Sequence, residues 1–123
     1  MKVLIADDEA DVREVVAAIV RLHWAEGEII EACDGEDAVQ RFYDHAPDLV
    51  ILDVAMPGVS GLQASRAIAA IAPRTRMVLL TNFPSKLLED YARKVGIKAV
   101  LAKDGEATLD RLVSTIEALP DAA

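Results

Sequence analysis

Asp7, Asp8, Asp53, Thr81 and Lys103 each stand at the end of a short apolar run, and together they offer three carboxylates, a hydroxyl and an ammonium. The stretch PDLVILDVAMPG, Pro47 to Gly58, poses the problem most sharply, because a lone aspartate, Asp53, closes what reads as the most buried segment. A buried charge is costly unless something pairs with it. Two bare carboxylates about 4 Å apart repel by about 4 kcal/mol at an effective dielectric of 20, so a cation must sit among them if they meet. An oxygen-only set suits a hard ion: Mg²⁺ takes one or two carboxylates, keeps several waters and completes its shell with phosphate oxygens. With its charge balanced by such an ion and by Lys103, Asp53 is a candidate nucleophile, since a carboxylate can take a phosphoryl group as an aspartyl phosphate. Phosphoryl transfer then needs mainly positioning and charge neutralisation. Taken singly, each residue has an ordinary structural role: Asp8 as a helix cap, Thr81 in a turn, Lys103 as a solvated charge. Only brought together do they make a site that calls for a cation.

Alternating strands and helices would do that. Strand candidates are Lys2–Ala6, Glu28–Ala32, Asp48–Leu52, Arg76–Leu80 and Ile97–Ala102, separated by stretches of helical period. The first helix is expected to bury Val12, Val15, Val16, Ile19 and Leu22; the second, opening at Asp34 and stopped by Pro47, buries Ala38, Val39 and Phe42. A third, from about Ser60 to Ile71, turns Leu62, Ala67, Ile68 and Ile71 inward. The fourth, from about Ser85 to Val95 with Gly96 as its stop, turns in Leu87, Leu88, Tyr91 and Val95, and the fifth presents Leu109, Leu112, Val113, Ile116 and Leu119. This pattern predicts an α/β fold: a doubly wound, flavodoxin-like (βα)5 domain with a five-stranded parallel sheet. Strands covered on both faces read as continuous apolar runs. Charged Glu28, Glu31 and Lys98 therefore mark the second and fifth as edges, consistent with the order 2-1-3-4-5. In such a sheet all carboxyl ends share one rim, and the five polar residues fall there.

At 123 residues the chain suits one domain. A net charge of −8 argues against a nucleic-acid or anionic-membrane surface. The single cysteine, Cys33, forms no internal disulfide and fits a reducing cytosol. No apolar run reaches membrane-spanning length, and MKVLIADDEA turns acidic too early for a signal peptide, so a cytoplasmic protein is expected.

The pieces LIADDE, LVILDVAMPGVSGL, VLLTN and AVLAKD, in this order and spacing, resemble the receiver domain of bacterial two-component response regulators over essentially the whole chain. The resemblance implies that Asp53 is the phosphoacceptor. It also implies that Asp7 and Asp8 are the acidic pair for Mg²⁺ (or Mn²⁺), and that the backbone carbonyl of Ala55 is a further ligand. Thr81 would donate its hydroxyl to a phosphoryl oxygen and report to the fourth helix, while Lys103 holds another oxygen. Implied partners are a sensor histidine kinase or a phosphotransfer protein, and a second copy through the surface of the fourth helix, fifth strand and fifth helix. Residues 1–120 would form the receiver, with 121–123 a short tail and no output domain in the chain. Such a domain catalyses only its own phosphorylation and dephosphorylation.

Three departures stand out. Val100 occupies the position that carries a switch aromatic in many receivers. Lys103 is followed by Asp104 instead of proline, a Lys-Asp pairing that resembles the subclass with helix-turn-helix output domains. Ala55 and Phe83, whose side chains flank the phosphoryl group in this family, are both apolar here, which would disfavour water attack. The rival functions are a receiver-like interaction module that is never phosphorylated, and a haloacid-dehalogenase-type phosphatase. The second lacks support because the first strand leads into ADDEAD without that family's Asp-x-Asp pattern.

Overall fold

The computed structural model describes residues 1–103 and 106–119, the side chains of residues 106–109 excepted. The elements run β1 (Lys2–Ala6), α1 (Ala10–His23), β2 (Glu28–Ala32), α2 (Gly35–His45), β3 (Leu49–Asp53), α3 (Gly61–Ile71), β4 (Arg76–Thr81), α4 (Lys86–Lys94), β5 (Ala99–Ala102) and α5 (Glu106–Ala118). All pairings are parallel and the order is β2-β1-β3-β4-β5, as predicted.

Strand period divides the core in two. Side chains alternate across a strand. Leu4, Ala6, Val50, Leu52, Met77 and Leu79 therefore pack with Ala38 and Phe42 of α2, Ala64 and Ile68 of α3 and Ala92 of α4. Val3, Ile5, Leu49, Ile51, Val78 and Leu80 pack on the other face with Val16, Ala17 and Val20 of α1 and Leu112 and Ile116 of α5. β3 is buried along its whole length, including Asp53.

Local signals set the helix ends. Asp34 and Ser85 accept hydrogen bonds from the N–H groups of Asp37 and Leu88, and Ser60 forms a full capping box with Gln63. Gly96, at φ +90°, follows the end of α4. α1 begins after Glu9, not Asp8, and Glu9 makes no side-chain cap.

Several expected faces are rotated. In α1 the buried stripe is Val16, Ile19 and Val20 with Ala17, which turns Val15 and Leu22 out to solvent. α3 buries Ala64, Ser65, Ile68 and Ala69, leaving Ala67 and Ile71 exposed. α4 buries Ala92, and Leu87 is 82% exposed with Tyr91 beside it at the surface. In each case the face turned to the sheet includes a small residue, Ala17, Ala64 or Ala92, and lies to one side of the bulkier residues left at the surface. β3 starts one residue late because Asp48 lies outside it, its Oδ2 accepting the Lys2 N–H at 2.8 Å. β5 starts at Ala99 because the Ile97 N–H returns to the Ala92 carbonyl at 2.9 Å, so Lys98 precedes the edge strand. Leu109 and the Lys103–Asp104 peptide bond lie outside the described part. Among the described residues no helix is long and apolar enough to cross a membrane.

Candidate functional site

Pleat parity explains how distant residues meet. Val3 and Ile5, Leu49 and Ile51, and Ala99 and Leu101 all belong to the α1/α5 face. Two residues further on, the same face receives Asp7, Asp53 and Lys103 at the carboxyl rim. The Lys103 ammonium lies 2.6 Å from Asp7 Oδ2 and 3.2 Å from Asp53 Oδ2. Asp7 and Asp53 are 2% and 6% exposed, so this is a buried ion-pair network rather than a surface bridge.

Asp8 completes the cluster from the exposed side: one carboxylate oxygen from each of Asp7, Asp8 and Asp53 lies within 4.8 Å of the others. Opposite ligands of Mg²⁺ stand about 4.2 Å apart, so a shell of these oxygens and water suits the cluster. Three carboxylates face one ammonium, and the two formal negative charges left over equal the charge of one divalent cation. The all-oxygen donor set fits a hard ion.

Electrostatics records the same frustration. Burial, then the charge of Asp7, pushes the Asp53 carboxyl above the ordinary aspartate value, and the hydrogen bond and charge of Lys103 only partly offset them. Burial pulls Lys103 down. The hydrogen bonds and charges of Asp7 and Asp53 together outweigh it, so the ammonium sits above its ordinary value.

Thr81 is 5% exposed and has the opposite parity, on the face that carries α4. Its Oγ1 accepts the Phe83 N–H at 3.0 Å, and the Lys103 N–H donates to its carbonyl at 2.7 Å. One hydrogen bond thus joins the Thr81 hydroxyl to the α4 approach, and the other joins the Thr81 carbonyl to Lys103. Phe83 itself is 83% exposed and Ala55 is exposed at the rim, its N–H 3.4 Å from Asp53 Oδ1. Val100 is half-buried against the α2/α3/α4 core. The sequence places Asp7, Asp8, Asp53, Thr81 and Lys103 at one rim, and these five lie at the carboxyl ends of β1, β3, β4 and β5.

Two residues escaped that reading of the sequence. Gly61 opens α3 so close to Asp53 that a Cβ there would lie 1.7 Å from the Asp53 carbonyl oxygen, while its N–H donates to Val54 O at 2.9 Å. Arg13, from α1, donates from Nη1 to the Asp7 carbonyl at 2.6 Å and from Nε to Glu31 at 3.1 Å. The glycine in LVILDVAMPGVSGL was a usable signal; nothing in the spacing marks Arg13.

Comparison with known proteins agrees with this geometry. Residues 3–117 match the model of the response regulator receiver domain. The chain is 45% identical over 106 residues to the transcriptional regulatory protein PdtaR of Mycobacterium tuberculosis, covering 83% of this chain and 49% of that protein. It thus spans about half the length of the curated relatives it matches. A DNA-binding response regulator of the LuxR family from Staphylococcus aureus superposes with a TM-score of 0.84 at 27% identity, covering 96% and 97% of the two chains. Response regulator TrrA from Thermotoga maritima, in complex with Mg²⁺–BeF, superposes with a TM-score of 0.82 at 28% identity, covering 97% and 98%. The chain belongs to the receiver domain family of two-component response regulators, and resembles the receivers of transcriptional and DNA-binding response regulators, among them one of the LuxR family.

Proposed function

We propose that residues 1–120 act as an Mg²⁺-dependent phosphoacceptor, with Asp53 the phosphorylated residue. The observation that carries the reading is the Lys103 ammonium bridging Asp7 and Asp53 beside Asp8, a buried network with two negative charges in excess. When bound, a divalent ion, Mg²⁺ or Mn²⁺, would neutralise charge on the phosphoryl oxygens; Asp7, Asp8, Asp53 and the Ala55 carbonyl would hold it.

The remaining work falls to the chain. An Asp53 carboxylate oxygen attacks phosphorus, the phosphorus–nitrogen bond of a donor phosphohistidine breaks, and the imidazole leaves with the electron pair. Lys103, already within reach of Asp53, holds one phosphoryl oxygen. Thr81 has its oxygen engaged by the Phe83 N–H and its own proton available for another. Hydrolysis later adds water to phosphorus and releases phosphate, restoring the carboxylate. Ala55 and Phe83 offer that water no hydrogen bond.

The donor is a sensor histidine kinase or a phosphotransfer protein, in the cytoplasm, and the receiver acts on no outside substrate. Its output is a shift in the α4/β5/α5 surface, where a second copy or an output partner docks. Full exchange from 1:99 to 99:1 needs about 5.5 kcal/mol of discrimination between phosphorylated and unphosphorylated states. Leu87 and Tyr91, one turn apart on α4, and Phe83 just before the helix supply exposed apolar area on the α4 side of that surface.

The test is intact mass after incubation with Mg²⁺ and acetyl phosphate. One added phosphoryl group, lost in Asp53→Asn and with a chelator, is the expected result. No addition to folded protein from acetyl phosphate or from a panel of histidine kinases would favour a phosphorylation-independent interaction module.

A further inference from the structure

We propose that Arg13 is a positioning residue for the acidic pocket, clamping the Asp7 peptide where β2 stops supplying the sheet hydrogen bond. In a parallel ladder, a residue's N–H and C=O bond to two residues flanking its partner on the neighbouring strand. The Asp7 N–H does so, donating to Ala32 O at 3.1 Å. The matching donor for the Asp7 carbonyl would come from Asp34, but β2 ends at Ala32 and Asp34 has turned away as the cap of α2. Arg13 Nη1 takes that place at 2.6 Å.

Glu31, the last exposed charge of β2, then holds the guanidinium through Nε at 3.1 Å. The arrangement needs an arginine: its planar fork donates to a carbonyl and a carboxylate in fixed relation, which a lysine point charge does not reproduce. With Arg13 in place every polar atom of Asp7 is engaged. The N–H and C=O are fixed as above, Oδ1 accepts the Glu9 N–H at 2.9 Å and Oδ2 accepts from Lys103 at 2.6 Å. Rotation of the Asp7 peptide would swing the carboxylate that pairs with Lys103. Arg13 thus acts on the pocket through Asp7's backbone, from α1 on the sheet face that carries Asp53.

The functional consequence rests on the magnesium-dependent reading above; the positioning itself does not. Charge and geometry make opposite predictions. Removing a cation near three carboxylates would by charge alone tighten Mg²⁺ binding, whereas loss of positioning weakens it. The experiment is calorimetric Mg²⁺ titration of wild type, Arg13→Ala, Arg13→Lys and Glu31→Gln, each checked for folding, with ¹⁵N amide spectra of the metal-free proteins. Expected are about tenfold weaker binding in Arg13→Ala, at the low end for outer-shell partners, and smaller losses in Arg13→Lys and Glu31→Gln. Displaced Asp7, Asp8 and Glu9 amide resonances should accompany them. Binding in Arg13→Ala that is unchanged or tighter, with those amides in place, would overturn the proposal. If Arg13→Ala does not fold, Arg13→Lys decides by the same two readouts. If wild type itself binds no Mg²⁺, the metal reading fails and the amide spectra alone decide the positioning claim.

Discussion

The backbone N–H of Phe83 donates to the side-chain oxygen of Thr81 at 3.0 Å, tying a buried hydroxyl at the sheet rim to the first exposed aromatic before α4. A phosphoryl group that draws the Thr81 hydroxyl toward it would carry this hydrogen bond, and the peptide that leads into α4, along with it. With Val100 where many receivers carry an aromatic, the proposed function makes this peptide the expected route from the site to the surface. Thr81→Ser, which keeps the oxygen, should preserve the α4 amide shifts seen on phosphorylation. Thr81→Ala should accept phosphate, lose those shifts and cost about 1 kcal/mol of stability for the missing bond. Phosphorylation-induced α4 shifts that survive in Thr81→Ala would exclude this route.

The metal-free pocket holds more negative charge than it can balance, and Asp53 bears the cost. Its carboxyl is raised above the ordinary aspartate value by burial and by Asp7, so the folded state holds the proton more tightly than the unfolded chain. Stability from this group is therefore greatest at low pH and falls as pH rises through the interval between the unfolded and folded values. Asp53→Asn, which keeps an acceptor for Lys103, should be more stable than wild type at neutral pH without Mg²⁺. The advantage should shrink as the pH is lowered and Asp53 takes up its proton. Urea unfolding in a chelator across that range checks it, and a pH-independent difference would contradict it.

Lys103 carries the opposite sign. Its ammonium is raised above the ordinary lysine value despite burial, because Asp7 and Asp53 hold it, so its contribution is fully present at neutral pH. That contribution is lost only as the solution is made alkaline enough to pass the raised value. Lys103→Met leaves buried carboxylates without their partner and should cost about 3–5 kcal/mol in metal-free protein. Added Mg²⁺ should recover part of this loss. Equal urea midpoints for Lys103→Met and wild type would mean that the network carries no stability.

Gly61 sets a steric limit at the same strand end. A Cβ at this position meets the Asp53 carbonyl oxygen at 1.7 Å and its carbonyl carbon at 2.6 Å, both backbone atoms that cannot move aside like a side chain. Gly61→Ala should therefore cost about 1–3 kcal/mol and move Asp53 relative to Lys103, lowering the rate of phosphorylation as well as the unfolding midpoint. A stable Gly61→Ala with a wild-type rate would show that the α3 start can retreat without disturbing the strand.

The topology was legible because short continuous apolar runs alternating with helical-period stretches, and the capping residues between them, are local signals. The rim was legible because parallel strands all end on one side. The rotation of the helices was not legible: Val15, Leu87 and Tyr91 fit an apolar helical stripe, but the buried face is set by the sheet each helix meets and takes in Ala17 and Ala92 instead. Lys98 looked like an edge-strand charge, yet the Ile97 N–H had already been taken by Ala92 of α4. Arg13 was invisible for another reason, since its role follows from where β2 stops pairing, and that is a property of the sheet rather than of any motif.

The lifetime of a phosphorylated Asp53 should depend on the two apolar residues that flank the rim. Ala55 presents a methyl group and Phe83 a ring that is 83% exposed, and neither side chain can hydrogen-bond a water lined up behind phosphorus. Phe83 lies outside both core clusters, so its replacement should leave the fold nearly intact. Ala55→Asn with Phe83→Glu supplies an amide and a carboxylate that can orient such a water, and hydrolysis should accelerate by about tenfold or more, within the usual range for positioned acid–base groups. Decay of the phosphorylated mass peak after removal of the donor measures this directly. An unchanged decay in the double variant would place control of the lifetime elsewhere, in the packing of α4 or in a partner that catalyses release.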